Sequence, residues 1–564
     1  MDSDRIAVSG ASVLPKQIFA TKSIDKLIRD SEHPEHALKK TLGPVSLTAL
    51  GIGAVIGSGI FTVIGTAIAG QSYGALSVMN TPVLDFIVHH TALAGRPGAG
   101  PALAVSLVLV AIVCAFTGLC YAEMASMIPI AGSAYTYTYA TMGELIAWII
   151  GWDLILEYAF GAATVASGWS GYVLSFLQDF GLHVSPQFSS AHGERLVFYQ
   201  NEWQHLAQIK DTLAVHGINP SSLPHVHAYF NLVAFLAILG VTAVLVIGIK
   251  ESADLNSVIV MVKISVVLVF IGVVGIYAFG HPAHFLANWR PFIPPNAGQF
   301  GKYGWSGVAR GAAVIFFAYI GFDAVSTAAQ EARNPKRDMP IGILGSLVIC
   351  TVLYILVSGL LTGVVHYTAL DVSDPVAIGI DAVPGVRWGS LLVKVGAIFG
   401  LGTVMLVMLL GQSRVFYSMS KDGLLPEWAR AIHPRFRTPW VATIVVGVFV
   451  AVFAALIPIR ILGELVSIGT LLAFIIVCAG VWILRRRHPD MPRPFRTPWV
   501  PLVPILGILV SAALMLSLPL DTWLRLIIWL VIGMFVYFGY SCRHSRVQNR
   551  MAATVAIGGA KKTS

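Results

Sequence analysis

Two short stretches of this 564-residue chain carry residue types that could bind a ligand through exposed main-chain groups. In GIGAVIGSGIFTVIG (residues 51–65) glycines crowd into an apolar run, and in FFAYIGFDAVS (residues 316–326) a glycine lies between aromatic residues. A helix interrupted in the first stretch would present amide donors and the Ser58 hydroxyl to an anion, because a helix N-terminus attracts negative charge. Carbonyls freed in the second stretch would accept from a cation. The pair predicts a ligand with carboxylate and ammonium groups on one carbon, which is an α-amino acid.

The residues predicted to form this site come from both stretches. They are Val55, Gly57, Ser58, Gly59 and Ile60 in the first, and Phe317, Ala318, Ile320 and Gly321 in the second. A dinucleotide-binding loop is an alternative interpretation of the glycines, but no alternating strands and helices surround them and no acidic residue follows at the required spacing. Close helix packing through Gly53 and Gly57 is a second alternative, although Gly57-Ser58-Gly59 is denser than packing requires.

Ionisable side chains inside apolar runs are candidate functional groups, because a charge is costly in a membrane interior. Lys263 lies in the middle of SVIVMVKISVVLVF. Asp323 could contact the ligand, or it could cap the helix that restarts after the interruption. Asp153 and Glu157 are four residues apart and therefore share one face of a helix. Glu157 could accept a cationic substrate side chain or form a buried structural hydrogen bond.

Another apolar run contains Thr403 and Met405, which are candidates for a gate or for a side-chain pocket. Methionine side chains adapt to ligands of different shape. The sequence nevertheless favours packing against lipid as the role of Met405 and of Met408.

The composition is that of an integral membrane protein, with 56% hydrophobic and 12% charged residues, whereas about a quarter of residues are charged in soluble domains. Residues 1–41 are polar and mixed in charge, unlike a removable signal peptide. All five cysteines lie in or beside apolar runs, which argues against a disulfide framework. The histidines of residues 178–228 lack a regular metal-binding spacing, and neither a cofactor nor a metal is predicted.

Twelve apolar runs are long enough to cross a bilayer, which takes about 20 residues. They are residues 44–70, 102–128, 144–177, 229–249, 256–279, 307–329, 340–365, 389–418, 439–457, 461–484, 499–518 and 522–541. If the tails, residues 1–43 and 542–564, are cytoplasmic, 26 Lys and Arg residues lie inside and 8 outside, as the positive-inside rule predicts. The net charge of +9 is then topological and does not indicate nucleic-acid binding. The long connection 71–101 could form a short interfacial helix.

Taken together, the motifs resemble the amino acid-polyamine-organocation superfamily, and within it the bacterial relatives of the cationic amino acid transporters. The matching segments are LGPVSLTALGIGAVIGSGIFTVIGTAIAG, YAEMASMIPIAGSAYTYTYATMGELIAWIIGWDLILEY, FFAYIGFDAVSTAAQEARNPKRDMPIGI and GQSRVFYSMSKDGLLP. The resemblance implies an all-α, LeuT-like polytopic membrane protein with twelve transmembrane helices, of which helices 1 and 6 are broken. It also implies a five-plus-five inverted repeat, with one repeat in residues 44–279, the second in residues 280–484, and two extra helices in residues 485–541.

The resemblance further implies alternating access around a central site, and it assigns Lys263 to proton coupling. A charged Lys263 would hold the backbone of the first span, and a neutral one would release it. Buried amines can exchange a proton within the physiological pH range. A structural lysine that locks the fifth span to the first is the alternative.

The sequence therefore predicts a secondary active transporter that takes up L-amino acids by proton symport in a bacterial inner membrane. An amino acid or polyamine exchanger and a non-transporting amino acid sensor are the alternatives. No HExxH or GxSxG motif supports a membrane-embedded enzyme. The sequence does not distinguish a cationic from a small neutral substrate, and it leaves open an accessory single-span subunit.

Overall fold

The chain is mostly helical over the part that its structure, a computed structural model, describes. The described residues are 18–24, 40, 42–57, 59–90, 92–128, 133–200, 202–206, 209, 213, 216–247, 253–296, 298, 300–372, 374–436 and 438–549. The predicted site residue Ser58 and most of both tails lie outside them.

The α-helices are numbered in chain order. They are α1 Pro44–Val55, α2 Ile64–Ala69, α3 Val83–His89, α4 Leu103–Met127, α5 Ser133–Thr141, α6 Glu144–Ile155, α7 Gly161–Asp179, α8 Leu232–Ile247, α9 Ala253–Gly280, α10 Pro282–Asn288, α11 Gly304–Ile315, α12 Pro335–Val364, α13 Pro375–Asp381, α14 Arg387–Lys421, α15 Trp440–Leu456, α16 Ile459–Arg487, α17 Leu502–Leu516, α18 Leu520–Val536 and α19 Cys542–His544. Wider π-helical turns occupy Gly59–Val63, Leu156–Phe160 and Tyr537–Ser541, and tighter 3₁₀ turns occupy Phe316–Tyr319 and Asp323–Glu331.

Each predicted apolar run coincides with one of these helical segments. Among the described residues, eight stretches are long and apolar enough to cross a membrane by length and composition. These are Pro44–Ala69, Gly100–Met127, Glu144–Asp179, Val260–Gly280, Pro335–Val364, Trp388–Lys421, Ile459–Arg487 and Leu520–Asn549. Three shorter apolar helices are α8, α15 and α17. The remaining predicted run is α11 with the two 3₁₀ turns that follow it.

Packing around α12 and α14 forms the centre of the molecule. The helix α12 packs against both α1 and α4, and α14 packs against α7 and α9. Because α14 has 35 residues, it extends roughly 50 Å from one end of the molecule to the other. Proline begins α1 and α12, where its fixed φ suits the first helical position and its missing amide costs no hydrogen bond.

The all-α fold class needs one correction, because among the described residues five short strands lie on the two long connections, for which no strands were predicted. In the first connection β1 (Gly70–Ser77) pairs with β2 (Leu93–Pro97) in antiparallel fashion, and α3 is the short helix predicted there. In the second connection β3 (Arg195–Tyr199) lies between β4 (Glu202–His205) and β5 (His225–His227), and both pairings are antiparallel.

Both tails reach the same end of the molecule. The Lys22 side chain contacts Asp422 at 2.5 Å, and the Arg546 amide donates to the Asp422 carbonyl at 3.0 Å. This termini end lies at the C-terminus of α14. The opposite end, here the distal end, carries the β3–β5 sheet, and there Lys394 near the start of α14 binds Asp179 at 2.7 Å.

Candidate functional site

The first apolar run is interrupted at its glycine cluster. The helix α1 ends at Val55, and Ile56 adopts an extended conformation with φ −71° and ψ 95°. Gly57 is buried, and the chain re-enters a helical path at Gly59 through the π turn, whose residues Gly59–Val63, including Ile60, are all buried. The interruption therefore lies where the glycine density predicts it.

The second interruption follows α11. After the 3₁₀ turn that contains Phe317 and Ala318, Ile320 is extended with φ −62° and ψ 134°. Gly321 has φ +115°, and a Cβ there would lie 2.9 Å from the carbonyl carbon of Ala54. Both its backbone conformation and its approach to α1 thus require glycine.

Asp323 holds this second interruption together. It is fully buried, and one of its carboxylate oxygens accepts the Gly321 amide at 3.2 Å. This contact holds the unwound backbone before the turn Asp323–Glu331. A capping bond to the helix that restarts stays a prediction. Direct contact with a ligand stays a prediction.

The two interruptions touch each other. A Cβ at Gly59 would lie 2.2 Å from the Ala318 Cα, so the glycine is needed for this backbone contact. A Cβ at Gly57 would lie 3.1 Å from the Val404 side chain on α14. Close packing, the alternative role considered for Gly53 and Gly57, is present at Gly53, where a Cβ would lie 2.6 Å from the Val260 side chain, and it extends to Gly59. A ligand could enter on that face only if the two interruptions move apart.

Side chains from other helices satisfy the carbonyls around the first interruption. Lys263, which is 1% exposed on α9, donates to the Gly53 carbonyl at 2.8 Å. Tyr354 on α12 donates to the Val55 carbonyl at 2.7 Å. In a membrane interior an unpaired carbonyl would be costly, so these donors stabilise an otherwise unfavourable break.

Tyr354 was not among the residues predicted from the sequence, and neither was Tyr172, which donates to the Phe61 carbonyl at 2.5 Å. The available signal was their position inside apolar runs, because a buried tyrosine hydroxyl usually has a hydrogen-bonding partner. The sequence contains nothing that identifies the partner.

Three buried carboxyl groups lie beyond the second interruption. Asp153, Glu157 and Asp323 are each at most 1% exposed. Glu157 belongs to the π turn that follows α6, and its Oε1 has no hydrogen-bonding partner among the described residues. Neither carboxyl oxygen of Asp153 has a hydrogen-bonding partner among the described residues. This carboxyl group could bind a cation or carry a proton.

Both methionines considered on α14 lie inside the protein. Met405 and Met408 are 1% and 5% exposed, so the lipid-facing role favoured by the sequence is wrong for both. The Thr403 hydroxyl donates to the Gly400 carbonyl of its own helix at 2.8 Å. Val404 approaches the first interruption instead, at Gly57. Over the ranges that the structure describes, no group of three His, Cys, Asp or Glu side chains is arranged to hold a metal ion.

Comparison with known proteins identifies one family and relatives that are named as permeases or transporters. A family model described as amino acid permease matches residues 42–560. The chain is 41% identical to the branched-chain amino acid permease BcaP of Bacillus subtilis, over 94% of this chain and 99% of that protein. It is 40% identical to the methylthioribose transporter of the same organism, over 94% and 98% of the two chains. It is 34% identical to the vacuolar cationic amino acid transporter 4 of Arabidopsis thaliana, over 83% and 67%.

Proposed function

The chain belongs to the amino acid permease family, and we propose that it is a secondary active transporter that takes up L-amino acids by proton symport. The observation that carries the proposal is the direct contact of two interrupted helices, with the amine of Lys263 hydrogen-bonded to the backbone of one of them. Interrupted membrane helices expose main-chain groups that can bind a zwitterion at mid-membrane depth.

The proposed architecture has twelve membrane crossings in a LeuT-like, five-plus-five inverted repeat. Residues 44–279 and 280–484 form the two repeats, and residues 485–541 add two helices. Two observations support this division. An interruption occurs in the first long apolar segment of each half, and the described parts of both tails meet at Asp422. The termini end then faces the cytoplasm of a bacterial cell, in agreement with the distribution of Lys and Arg.

The substrate would bind as the two interruptions separate. Its carboxylate would accept from amides at the start of the turn that includes Gly59 and Ile60, with the Ser58 hydroxyl as a further donor. Its ammonium group would donate to carbonyls of the second interruption, from Phe317 to Ile320, and to that of Val55. Binding would replace the contact between Gly59 and Ala318 by contacts of each interruption with the ligand.

Lys263 would couple this rearrangement to a proton. As an ammonium ion, it forms a charge-assisted hydrogen bond to Gly53, which contributes about 1.5 to 3 kcal/mol. Loss of the proton weakens that bond, and a difference of this size between two conformations changes their ratio by a factor of about 10 to 150. Release of the proton on the cytoplasmic side would therefore free α1 to move.

The side-chain specificity is the open part of this function, because the relatives differ in the ligands that their names state. The buried carboxyl groups of Glu157 and Asp323 could balance a cationic side chain, and the apolar side chains of Val404 and Met405 could pack against an aliphatic one. A useful panel therefore contains leucine, arginine and methylthioribose.

Uptake by the purified protein in proteoliposomes tests the function. We expect labelled amino acid to accumulate under an inward proton gradient and to leave when a protonophore is added. Uptake that ignores the gradient but requires amino acid inside the vesicle would identify an exchanger. Tight binding without any flux would identify a sensor.

A further inference from the structure

A cavity of about 1080 Å³ lies at the distal end, above the first interruption. Its wall includes Glu202 and Trp203 of the β3–β5 sheet, so the second long connection forms part of an outer vestibule. At its inner side lies Thr62, in the π turn that restarts the first span. The cavity thus leads from the distal surface to the residues next to the proposed central site.

The vestibule is lined by Asp371 and Arg460, which have opposite charges and no hydrogen-bonding partner among the described residues. Asp371 lies between α12 and α13, and Arg460 lies in the first turn of α16. Within the described ranges neither side chain forms a hydrogen bond or an ion pair within 4 Å, and the buried Arg460 Nε has no partner. Burial raises the pKa of Asp371 to about 6, although the nearby Arg460 opposes that shift. An arrangement of this kind is costly unless a ligand completes it.

The inner side of the vestibule also carries a buried polar group for which the described residues provide no partner. The Thr62 side chain is 2% exposed, and its hydroxyl has no partner among the residues that the structure describes. The apolar side chains of Val314 and Ile378 line the cavity as well. The cavity therefore combines an anion-binding group, a cation-binding group, an unused hydroxyl and an apolar patch.

The remaining charges of the cavity favour a ligand that carries an ammonium group. Glu194, Glu202, Asp374 and Asp381 line it, together with Arg195. Arg310 and Glu464 lie deeper and form an ion pair at 3.0 Å, so their charges neutralise each other. Negative charge is thus in excess, and an excess of one sign raises the local concentration of the opposite ion.

We propose that the vestibule contains a second amino acid site, in which Arg460 binds the α-carboxylate, Asp371 binds the ammonium group and Thr62 contacts the ligand on its way inward. This site rests on the proposed function, because it would load the central site from the outside. A free amino acid, with both charges and a side chain, matches each of the four features of the cavity.

Equilibrium binding of radiolabelled leucine and arginine to the purified protein tests the site. With the amino acid that is transported, we expect two bound molecules per wild-type chain, and one in Asp371→Asn and in Arg460→Gln. Asp371→Glu keeps the charge and should retain both. In proteoliposomes the two neutralised variants should raise KM about tenfold, the effect of one lost charge-assisted hydrogen bond, with kcat changed less than about twofold.

Matched variants control for the loss of charge. Asp490→Asn and Arg435→Gln remove one charge each from exposed positions, and both should behave like the wild type. A monodisperse elution profile of each variant excludes misfolding as the cause of lost binding.

The outcomes separate this site from the proposed function. Gradient-driven uptake with a single bound amino acid and an unchanged KM in Asp371→Asn would overturn the vestibule site alone. If no amino acid were taken up and none were bound, the proposed function would be overturned, and this site with it.

Discussion

Replacing Tyr354 with phenylalanine tests whether the first interruption is held ready for substrate by a hydroxyl group. The side chain is fully buried on α12, and its only described hydrogen bond is the 2.7 Å donation to the Val55 carbonyl. Tyr354→Phe removes one oxygen atom. It keeps the ring and its edge-to-face contact with Tyr319, whose centroid is 5.6 Å away. The change is therefore confined to one donor.

The size of the effect follows from the carbonyl that loses its partner. A buried acceptor left without a donor costs about 1 to 3 kcal/mol. Each 1.4 kcal/mol corresponds to about a factor of ten in an equilibrium constant. If Tyr354 orients the Val55 carbonyl toward the substrate ammonium group, KM should rise about tenfold, and kcat should change less.

Initial rates of uptake in proteoliposomes, measured over a range of substrate concentrations and from pH 5 to pH 8, provide the readout. A phenol ordinarily titrates at about pH 10, so Tyr354→Phe should leave the shape of the pH profile unchanged. Tyr229→Phe, at an exposed position just before α8, is the matched control and should have no effect on KM.

Two results would refute this reasoning. A lower KM in Tyr354→Phe would mean that the hydroxyl competes with the substrate for the Val55 oxygen. An unchanged KM with reduced thermal stability would mean that the hydroxyl only supports the fold.

Three further predictions concern other contacts. Lys263→Met should abolish accumulation driven by the proton gradient while counterflow persists, because the amine that binds the proton is removed. Unaltered gradient dependence of uptake in proteoliposomes would contradict coupling. Gly321→Ala should lower the thermal midpoint of unfolding, since the left-handed backbone costs about 1 to 3 kcal/mol for other residues. The control Gly275→Ala, where a Cβ meets nothing within 4 Å, should leave the midpoint unchanged. A midpoint of Gly321→Ala equal to that of the wild type would contradict the strain. Arg310→Gln should destabilise the fold by about 3 to 5 kcal/mol, because Glu464 would stay buried without its cation. A variant with the same denaturant unfolding curve in detergent as the wild type would argue against a buried charge on Glu464.

Much of the helical architecture could be predicted from the sequence, because it depends on local properties. An apolar run of sufficient length must be helical in a membrane so that its backbone groups pair internally. The density of glycine at Gly57 and Gly59, and at Gly321 next to Asp323, likewise indicates where a helix stops. The strands β1 to β5 were not predicted, because short strands in polar connections have weak periodicity and depend on their pairing partners.

The contacts of the candidate site could be predicted only in part. The position of Lys263 inside an apolar run and the family resemblance together indicated the backbone of the first span as its partner. Tyr354 and Val404 carried no comparable signal. The burial of Met405 also could not be predicted, since an apolar side chain suits lipid and protein interiors equally well.

The sequence by itself determined which segments are helical, where two of them are interrupted, and that a lone amine lies among apolar side chains. Only the tertiary structure decided that Gly59 packs on Ala318, that Tyr354 donates to Val55 across 299 residues of chain, and that Asp371 and Arg460 line one vestibule. The physical reason is that hydropathy and glycine content act within one segment. Hydrogen bonds and charges act between segments whose distance in space has no fixed relation to their distance along the chain.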